Sequence, residues 1–260
     1  MRSLLIGFGV AALTAATPAL AQQWYVGAGV GVNATSDSQN SGSTGSFSTG
    51  NGEPAIPFGT EIVAGTDYGW DTDFESGLVL SGEFGARYAS GFRSGLQIAY
   101  SNSDVSKHSG VSVGSAGIDG VDAAVLTGSA DQLGVTVGQV VANGRGELSN
   151  FGVFANVYYD FNRGRTIEPY IGAGIGFSVV DVQYNPSGIS VIDDSRTKFA
   201  YQLKAGASVR FSDSLQFFGE YAYRGSSNPS FDNKLFPGTL EIENDQNVFL
   251  VGARVLLGNS

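Results

Sequence analysis

Four charged residues lie in stretches of the chain that are otherwise apolar or small, and charges in such a setting can form a gate. Glu83, Lys204, Glu220 and Arg254 come from four separate segments. Ions that leave water lose solvation free energy, so buried acids and bases are expected to pair. Two acids and two bases could therefore form a permanent plug that fills and rigidifies an interior, or a switchable gate in a narrow pore.

Catalytic chemistry has little support in the sequence. The chain has no cysteine, and its single histidine is His108, which excludes thiolate nucleophiles and metal sites built from several Cys or His ligands. His108 is flanked by Ser106 and Ser109, with Asp104 as the nearest carboxylate, but closeness in sequence does not establish a Ser–His geometry. We expect a solvated loop histidine, no catalytic residue and no cofactor.

Four acidic residues fall within nine positions, which raises the question of a cation site. They are Asp67, Asp71, Asp73 and Glu75. The spacing and central glycine of an EF-hand loop are absent. We expect a solvated acidic surface and no dedicated metal site, with a cation site that bridges to lipopolysaccharide as the alternative.

Two Gly-x-Gly-x-Gly runs, at 27–31 and 172–176, could suggest phosphate binding. A dinucleotide fingerprint requires a strand, a turn and then a helix. Here the glycines alternate with apolar residues in the manner of a strand, so we expect them to clear space inside a sheet structure.

The elements that carry these residues are eight segments of strict apolar–polar alternation, which is the pattern of a strand with two different faces. The segments are Trp24–Val32, Leu78–Tyr88, Arg93–Ser101, Leu148–Phe161, Ile167–Val179, Lys198–Phe211, Leu215–Arg224 and Asn247–Leu257.

One face of every segment is uncharged and rich in aromatic residues, whereas the other is polar or glycine and carries the four charged residues. Small polar residues suit a crowded lumen and aromatic residues suit lipid. A soluble β-sandwich with the apolar face inside is the alternative.

The connections between the segments alternate in length. Those at 89–92, 162–166 and 212–214 are short, and those at 33–77, 102–147, 180–197 and 225–246 are long. Short turns at one end and long loops at the other are typical of outer-membrane barrels. The sequence therefore predicts an all-β protein, an eight-stranded antiparallel transmembrane β-barrel with short periplasmic turns and long outer loops.

The first 21 residues, MRSLLIGFGVAALTAATPALA, have a basic start, an apolar core and a small-residue cleavage box. This pattern predicts a secretory signal peptide at 1–21, cut before Gln22, and leaves 22–260 as the barrel domain.

The formal net charge of −10 argues against nucleic-acid binding. The four long loops hold 19 acidic and 4 basic residues, so the acidity belongs to one end of the barrel. The Ser/Gly/Thr/Asn-rich segment 36–52 is expected to be mobile.

Two further motifs carry a family resemblance. Trp24–Gly31 (WYVGAGVG) and Pro169–Gly176 (PYIGAGIG) nearly repeat each other, and Asn156–Phe161 (NVYYDF) precedes the second. Together they resemble the small outer-membrane β-barrel family that includes OmpA-like barrels, opacity-type porins and bacterial surface antigens. The resemblance covers 22–260 and is strongest over 150–257.

The resemblance implies a location in the outer membrane of a Gram-negative bacterium and a surface-antigen, adhesin or weak-porin role. The sequence departs from the family at its end, Leu257-Gly-Asn-Ser260, where an aromatic residue is usual. We also expect no peptidoglycan-binding domain after the barrel.

We therefore expect a non-enzymatic outer-membrane surface protein of structural, antigen or adhesin type. The alternatives are a narrow porin-like channel for small solutes and, less favoured, a lipid-modifying enzyme. The expected partners are outer-membrane lipid and lipopolysaccharide (bridged by cations in the case of the acidic cluster), the barrel-assembly machinery during insertion, and an extracellular or host-surface partner. No nucleic acid is expected.

Overall fold

The computed structural model describes residues 21–143, 146–188 and 190–258. The predicted signal peptide lies outside these residues except for Ala21. In chain order the elements are β1 (Ala21–Thr35), β2 (Ser38–Thr44), β3 (Phe47–Ser48), β4 (Glu61–Ile62), β5 (Asp67–Phe74), β6 (Gly77–Tyr88), β7 (Phe92–Val113), β8 (Ala116–Gly117), α1 (Ala124–Thr127), α2 (Val137–Val141), β9 (Gly146–Asp160), β10 (Ile167–Tyr184), a 3₁₀ turn (Pro186–Gly188), β11 (Ile192–Arg210), β12 (Leu215–Ser226), β13 (Ser230–Asp232), β14 (Gly238–Glu241) and β15 (Gln246–Leu257).

Eight of these strands close into a ring, as the alternation predicts. Each pairs antiparallel with its two neighbours, in the order β1, β6, β7, β9, β10, β11, β12, β15. The ring closes between β1 and β15, from Trp24 opposite Leu257 to Thr35 opposite Gln246. Closure leaves the ring without a free edge, which is the condition for a sheet to cross lipid.

The two faces of the ring are as predicted. Val30, Val157 and Val251 are 47%, 57% and 65% exposed on the outside, whereas Lys204 is buried inside. Aromatic side chains contact each other on the outer wall at both ends, for example Tyr159 with Phe92 at one end and Phe177 with Phe199 at the other. The soluble sandwich is therefore excluded, because its apolar face would be inside.

Beyond the membrane band the long connections fold into one body, which we call the outer cap. It consists of β2–β5, β8, α1, α2, the 3₁₀ turn, β13, β14 and the outer ends of β7, β9, β10 and β11. Its main sheet has the order β13-β14-β2-β5-β7, so β7 belongs to both the barrel and the cap. The cap has an apolar core of its own, with Leu148, Val180, Tyr184, Ile192 and Leu240 fully buried.

The expectation of a mobile segment at 36–52 is wrong for its first part, which forms β2. Alternate residues of β2 are buried although they are polar, including Ser38 and Asn40. The Asn40 amide donates to Thr72 Oγ1 across to β5 at 2.7 Å. Side-chain hydrogen bonds rather than apolar burial hold this strand, so apolar alternation gave no signal for it.

Along β7 the apolar side of the strand changes from the outside of the barrel to the inside of the cap. In the barrel Ile98 is exposed and Gln97 buried; in the cap Val105 is buried and Lys107 is 53% exposed. Lipid outside one end of the strand and water outside the other account for the change. None of the helices in the described ranges is long and apolar enough to span a membrane.

The first prediction concerns the lipid-facing wall. Val251→Arg, in the middle of β15, should lower the free energy of unfolding by about 2–4 kcal/mol, because an arginine would face acyl chains. The measurement is urea unfolding of the protein refolded into phospholipid vesicles. Leu133→Arg is the matched control, since Leu133 is half exposed in the cap and should tolerate the charge. Equally small effects of both substitutions would contradict the membrane assignment.

Candidate functional site

The lumen is filled by a network of buried charges and tyrosines. At its periplasmic end Arg87 Nη2 lies 2.5 Å from Glu168 Oε2 and 3.4 Å from Asp160 Oδ2. Arg93 Nε donates to Asp160 Oδ1 at 3.2 Å. All four groups are at least 96% buried, so each ion depends on its partners rather than on water.

Two of the four predicted lumen residues form an ion pair at mid-height. Lys204 Nζ lies 2.9 Å from Glu220 Oε1, and the hydroxyl of Tyr170 donates to the other Glu220 oxygen at 3.0 Å. Lys204 also lies 3.3 Å from the hydroxyl of Tyr158. A lysine and a glutamate from neighbouring strands are thus fixed by hydrogen bonds as well as by charge.

Glu83 pairs with Arg93 and not with one of the other three predicted lumen residues. Its carboxylate lies 3.4 Å from Arg93 Nη1 and accepts hydrogen bonds from Tyr25, Tyr158 and Asn156. Through Tyr158, which also contacts Lys204, it joins the Lys204–Glu220 pair in one network.

Arg254 has no carboxylate within 4.0 Å among the described residues. Its Nη1 lies 3.2 Å from Ser208 Oγ and 3.4 Å from Gln216 Oε1, and its guanidinium carbon lies 5.1 Å from the centre of the Tyr25 ring. Hydroxyl, amide and aromatic groups therefore take the place of an acid around this arginine.

Sequence reasoning missed Arg93, which is the centre of the network. It is 0% exposed, and its guanidinium carbon lies 3.7 Å from the centre of the Tyr158 ring. Counting by twos along β7 from Gln97 would have placed it on the lumen face. Counting by twos along β1, β9 and β10 in the same way places Tyr25, Tyr158 and Tyr170 inside.

The lumen glycines make room for these tyrosines. A Cβ on Gly172 would lie 2.3 Å from the ring of Tyr158, and one on Gly206 would lie 2.6 Å from the ring of Tyr170. Both glycine runs noted in the sequence lie within strands, β1 and β10. A small cavity of about 20 Å³ lies at mid-lumen, between Glu83, Lys204 and Arg254.

The expectation of a solvated His108 is wrong. The side chain is 3% exposed, and its Nδ1 lies 2.7 Å from Thr72 Oγ1. A β-bulge places one extra residue of β7 opposite the Asp73–Phe74 step, because Phe74 pairs with Val105 and Asp73 with Lys107. The bulge shifts the alternation and turns His108 into the cap. Burial lowers the pKa of His108 to about 4, with Asp73 opposing the shift.

The acidic cluster faces outward from the cap. Asp67, Asp71 and Glu75 are exposed, and Asp73 pairs with Lys107 at 3.1 Å. In the part of the chain that the structure describes, no three His, Cys, Asp or Glu side chains are grouped so that they could hold a metal ion.

The ring and its sidedness define an outer-membrane β-barrel protein. The family model "Surface antigen" matches residues 59–247, and the chain belongs to this family.

The individual relatives share little sequence identity with this chain. The outer membrane protein PagN of Salmonella typhimurium is 28% identical over 88 residues, a match that spans 32% of this chain and 37% of PagN. Among solved structures, the outer membrane protein OprG of Pseudomonas aeruginosa has a TM-score of 0.56 at 10% identity, covering 92% of this chain and 98% of OprG. Neisserial surface protein A has a TM-score of 0.41 at 12% identity, covering 89% of this chain and 96% of that one. The likeness to OprG concerns the fold alone.

The second prediction concerns the mid-lumen ion pair. Lys204→Met should lower the free energy of unfolding by about 3–5 kcal/mol, because it leaves Glu220 buried without its cation. The double variant Lys204→Met with Glu220→Leu should recover most of the loss, as measured by urea unfolding in vesicles.

Arg196→Met is the control for this prediction, because Arg196 pairs with Asp194 at the partly exposed surface of the cap. It should cost at most about 1 kcal/mol. A Lys204 effect no larger than this would contradict a buried, mutually dependent pair.

Proposed function

We propose that this chain is a non-enzymatic surface protein in which a filled barrel anchors the outer cap, and the cap contacts an extracellular or host-surface partner. The observation that carries the proposal is that segments from all four long connections contribute to one folded cap with its own core. Membership of the surface antigen family supports the same role.

The filled lumen supports a role as an anchor. Tyr25, Phe154, Tyr158 and Tyr170 point into it together with the buried ions. An eight-stranded barrel has room for side chains and little more. The surrounding contacts would be with membrane lipid and lipopolysaccharide, and insertion would use the barrel-assembly machinery.

The tip of the cap supports a contact surface. Phe58 and Val63 are 55% and 69% exposed, and Leu133 is 50% exposed on an adjoining segment. The two segments are joined where Gln132 Nε2 donates to the Glu53 carbonyl at 2.6 Å. Exposed apolar side chains with a polar rim are typical of protein interaction sites, and the acidic composition of the cap favours a basic partner surface.

A narrow channel is the second candidate, and the unpaired arginines favour it. Like Arg254, Arg224 has no carboxylate within 4.0 Å among the described residues; its nearest polar contact is Gln202 at 3.4 Å. Such a lumen would prefer anions.

The third prediction separates anchor from channel. Purified protein in planar bilayers should show no regular conductance steps, because the lumen is filled. Regular steps whose anion selectivity is lost in Arg254→Gln, but kept in the cap variant Arg196→Gln, would contradict a purely anchoring barrel and assign conduction to the lumen.

The fourth prediction tests the contact surface. A non-adherent Gram-negative laboratory strain that displays the protein should attach to epithelial monolayers above the empty-vector level. Phe58→Ser with Val63→Ser should reduce this attachment at least about fivefold, because burial of apolar surface is the main favourable term in protein association. Attachment is measured by plate counts after washing, and folding by heat-modifiable migration.

Ala64→Ser is the matched control, since Ala64 is exposed on the same segment and should leave attachment unchanged. Failure of the wild-type protein to raise attachment, or full attachment by the folded double variant, would contradict the adhesive role.

A further inference from the structure

The outer cap contains a cavity whose walls come from all four long connections. Tyr68 and Trp70 belong to the first, His108 and Leu126 to the second, Tyr184 to the third and Phe236 to the fourth. We call this cavity the outer pocket. The cavity has a volume of about 50 Å³, so it can hold only a small molecule.

A hydrogen bond connects two of the segments that form the wall of the outer pocket. Ser187 Oγ donates to the Val140 carbonyl at 2.9 Å and so joins the 3₁₀ turn to α2. Pro186 and Val141, next to these two residues, line the pocket. The space is therefore part of the folded cap and not a gap between independent loops.

Three polar side chains of the pocket wall carry buried atoms that lack hydrogen bonds within the described residues. These atoms are Trp70 Nε1, His108 Nε2 and the Tyr184 hydroxyl oxygen. The rings of Trp70 and His108 meet edge to face, with centroids 6.2 Å apart, so both lie within the span of one small ligand. A buried polar atom without a hydrogen-bond partner is costly, and here three such atoms belong to the wall of one apolar space.

The hydrogen bonding of His108 determines what its free nitrogen offers. Asn40 Nδ2 donates to Thr72 Oγ1, so the Thr72 hydroxyl hydrogen is available to His108 Nδ1, 2.7 Å away. When the Thr72 hydroxyl donates to Nδ1, the proton of the neutral ring is on Nε2, which is then a donor. Trp70 Nε1 can only donate, and the Tyr184 hydroxyl can donate as well. With His108 in this tautomer, the pocket presents only neutral donors within aromatic and aliphatic walls.

We propose that the outer pocket binds a small neutral molecule with an aromatic or aliphatic body and an oxygen acceptor such as a carbonyl. The body would occupy the space between Leu126, Tyr184 and Phe236, and the oxygen would accept hydrogen bonds from His108 and Trp70. The described wall has no Lys or Arg, which disfavours an anion. Burial, which lowers the pKa of His108 to about 4, keeps this donor uncharged near neutral pH.

The fifth prediction uses the two tryptophans of the chain as reporters. Full-length protein labelled with 5-fluorotryptophan, in lipid nanodiscs, should give separate fluorine signals for Trp70 in the pocket and Trp24 on the lipid-facing wall. Titration with acetophenone should shift the Trp70 signal saturably. Ethylbenzene, which has nearly the same shape but no acceptor, should bind at least about fivefold more weakly, because it leaves both donors unpaired.

Two variants test the site itself. Leu126→Phe fills the pocket and should abolish the saturable shift, whereas Leu133→Phe, the same change on an exposed segment, should leave it intact. His108→Phe should lower the affinity for acetophenone towards that for ethylbenzene, because only Trp70 of the two proposed donors is then left to donate to the ligand oxygen. Heat-modifiable migration verifies that each variant is folded.

A shift of Trp70 that does not saturate up to the solubility limit would overturn the proposal. So would parallel shifts of both tryptophans, which indicate partition into lipid, or undiminished binding by folded Leu126→Phe. None of these results depends on whether the cap mediates attachment.

Discussion

The structure depends on one constraint, which is that a sheet in lipid must pair every backbone hydrogen-bonding group within itself. Closure between β1 and β15 meets this constraint, and it leaves side chains to alternate strictly between acyl chains and the lumen. The narrow lumen must then accommodate every inward side chain. Glycines opposite Tyr158 and Tyr170 provide part of the room, because a Cβ on Gly172 or Gly206 would collide with a ring.

The same constraint explains why so many charges are buried together. Most apolar side chains of the barrel strands face lipid, so most of the side chains that point into the lumen are polar. Each buried ion there needs protein partners in place of water. Arg93 meets this need at the centre, because it contacts Glu83 and Asp160 and stacks on Tyr158. The resulting network holds strands from both halves of the ring and leaves little space for solutes.

The sequence predicts those parts of the structure in which apolar and polar residues alternate, and it misses the others. All eight barrel strands were predictable because apolar residues recur at every second position against lipid. Strand β2 was not, since its buried side is polar and held by side-chain bonds such as Asn40 to Thr72. His108 was misplaced because the predicted strand 93–101 continues as β7 to Val113, and a bulge after Val105 then turns its side chain inward. The partners of Glu83 and Arg254 belong to other strands across the lumen. The alternation pattern of a single strand shows which side chains point inward but not which of them meet.

The reversal of polarity along β7 explains how a membrane anchor and a folded cap can share one strand. At Ile98 the environment outside is lipid, so the apolar side faces out and Gln97 faces in. At Lys107 it is water, so the charge faces out and Val105 faces in. Strand β10 makes the same change, from Ile175 exposed on the barrel wall to Val180 and Val182 buried in the cap. The cap can therefore enclose an apolar interior directly above a polar lumen, and it is this inversion that places Trp70 and His108 around an apolar space of their own, separate from the charges below.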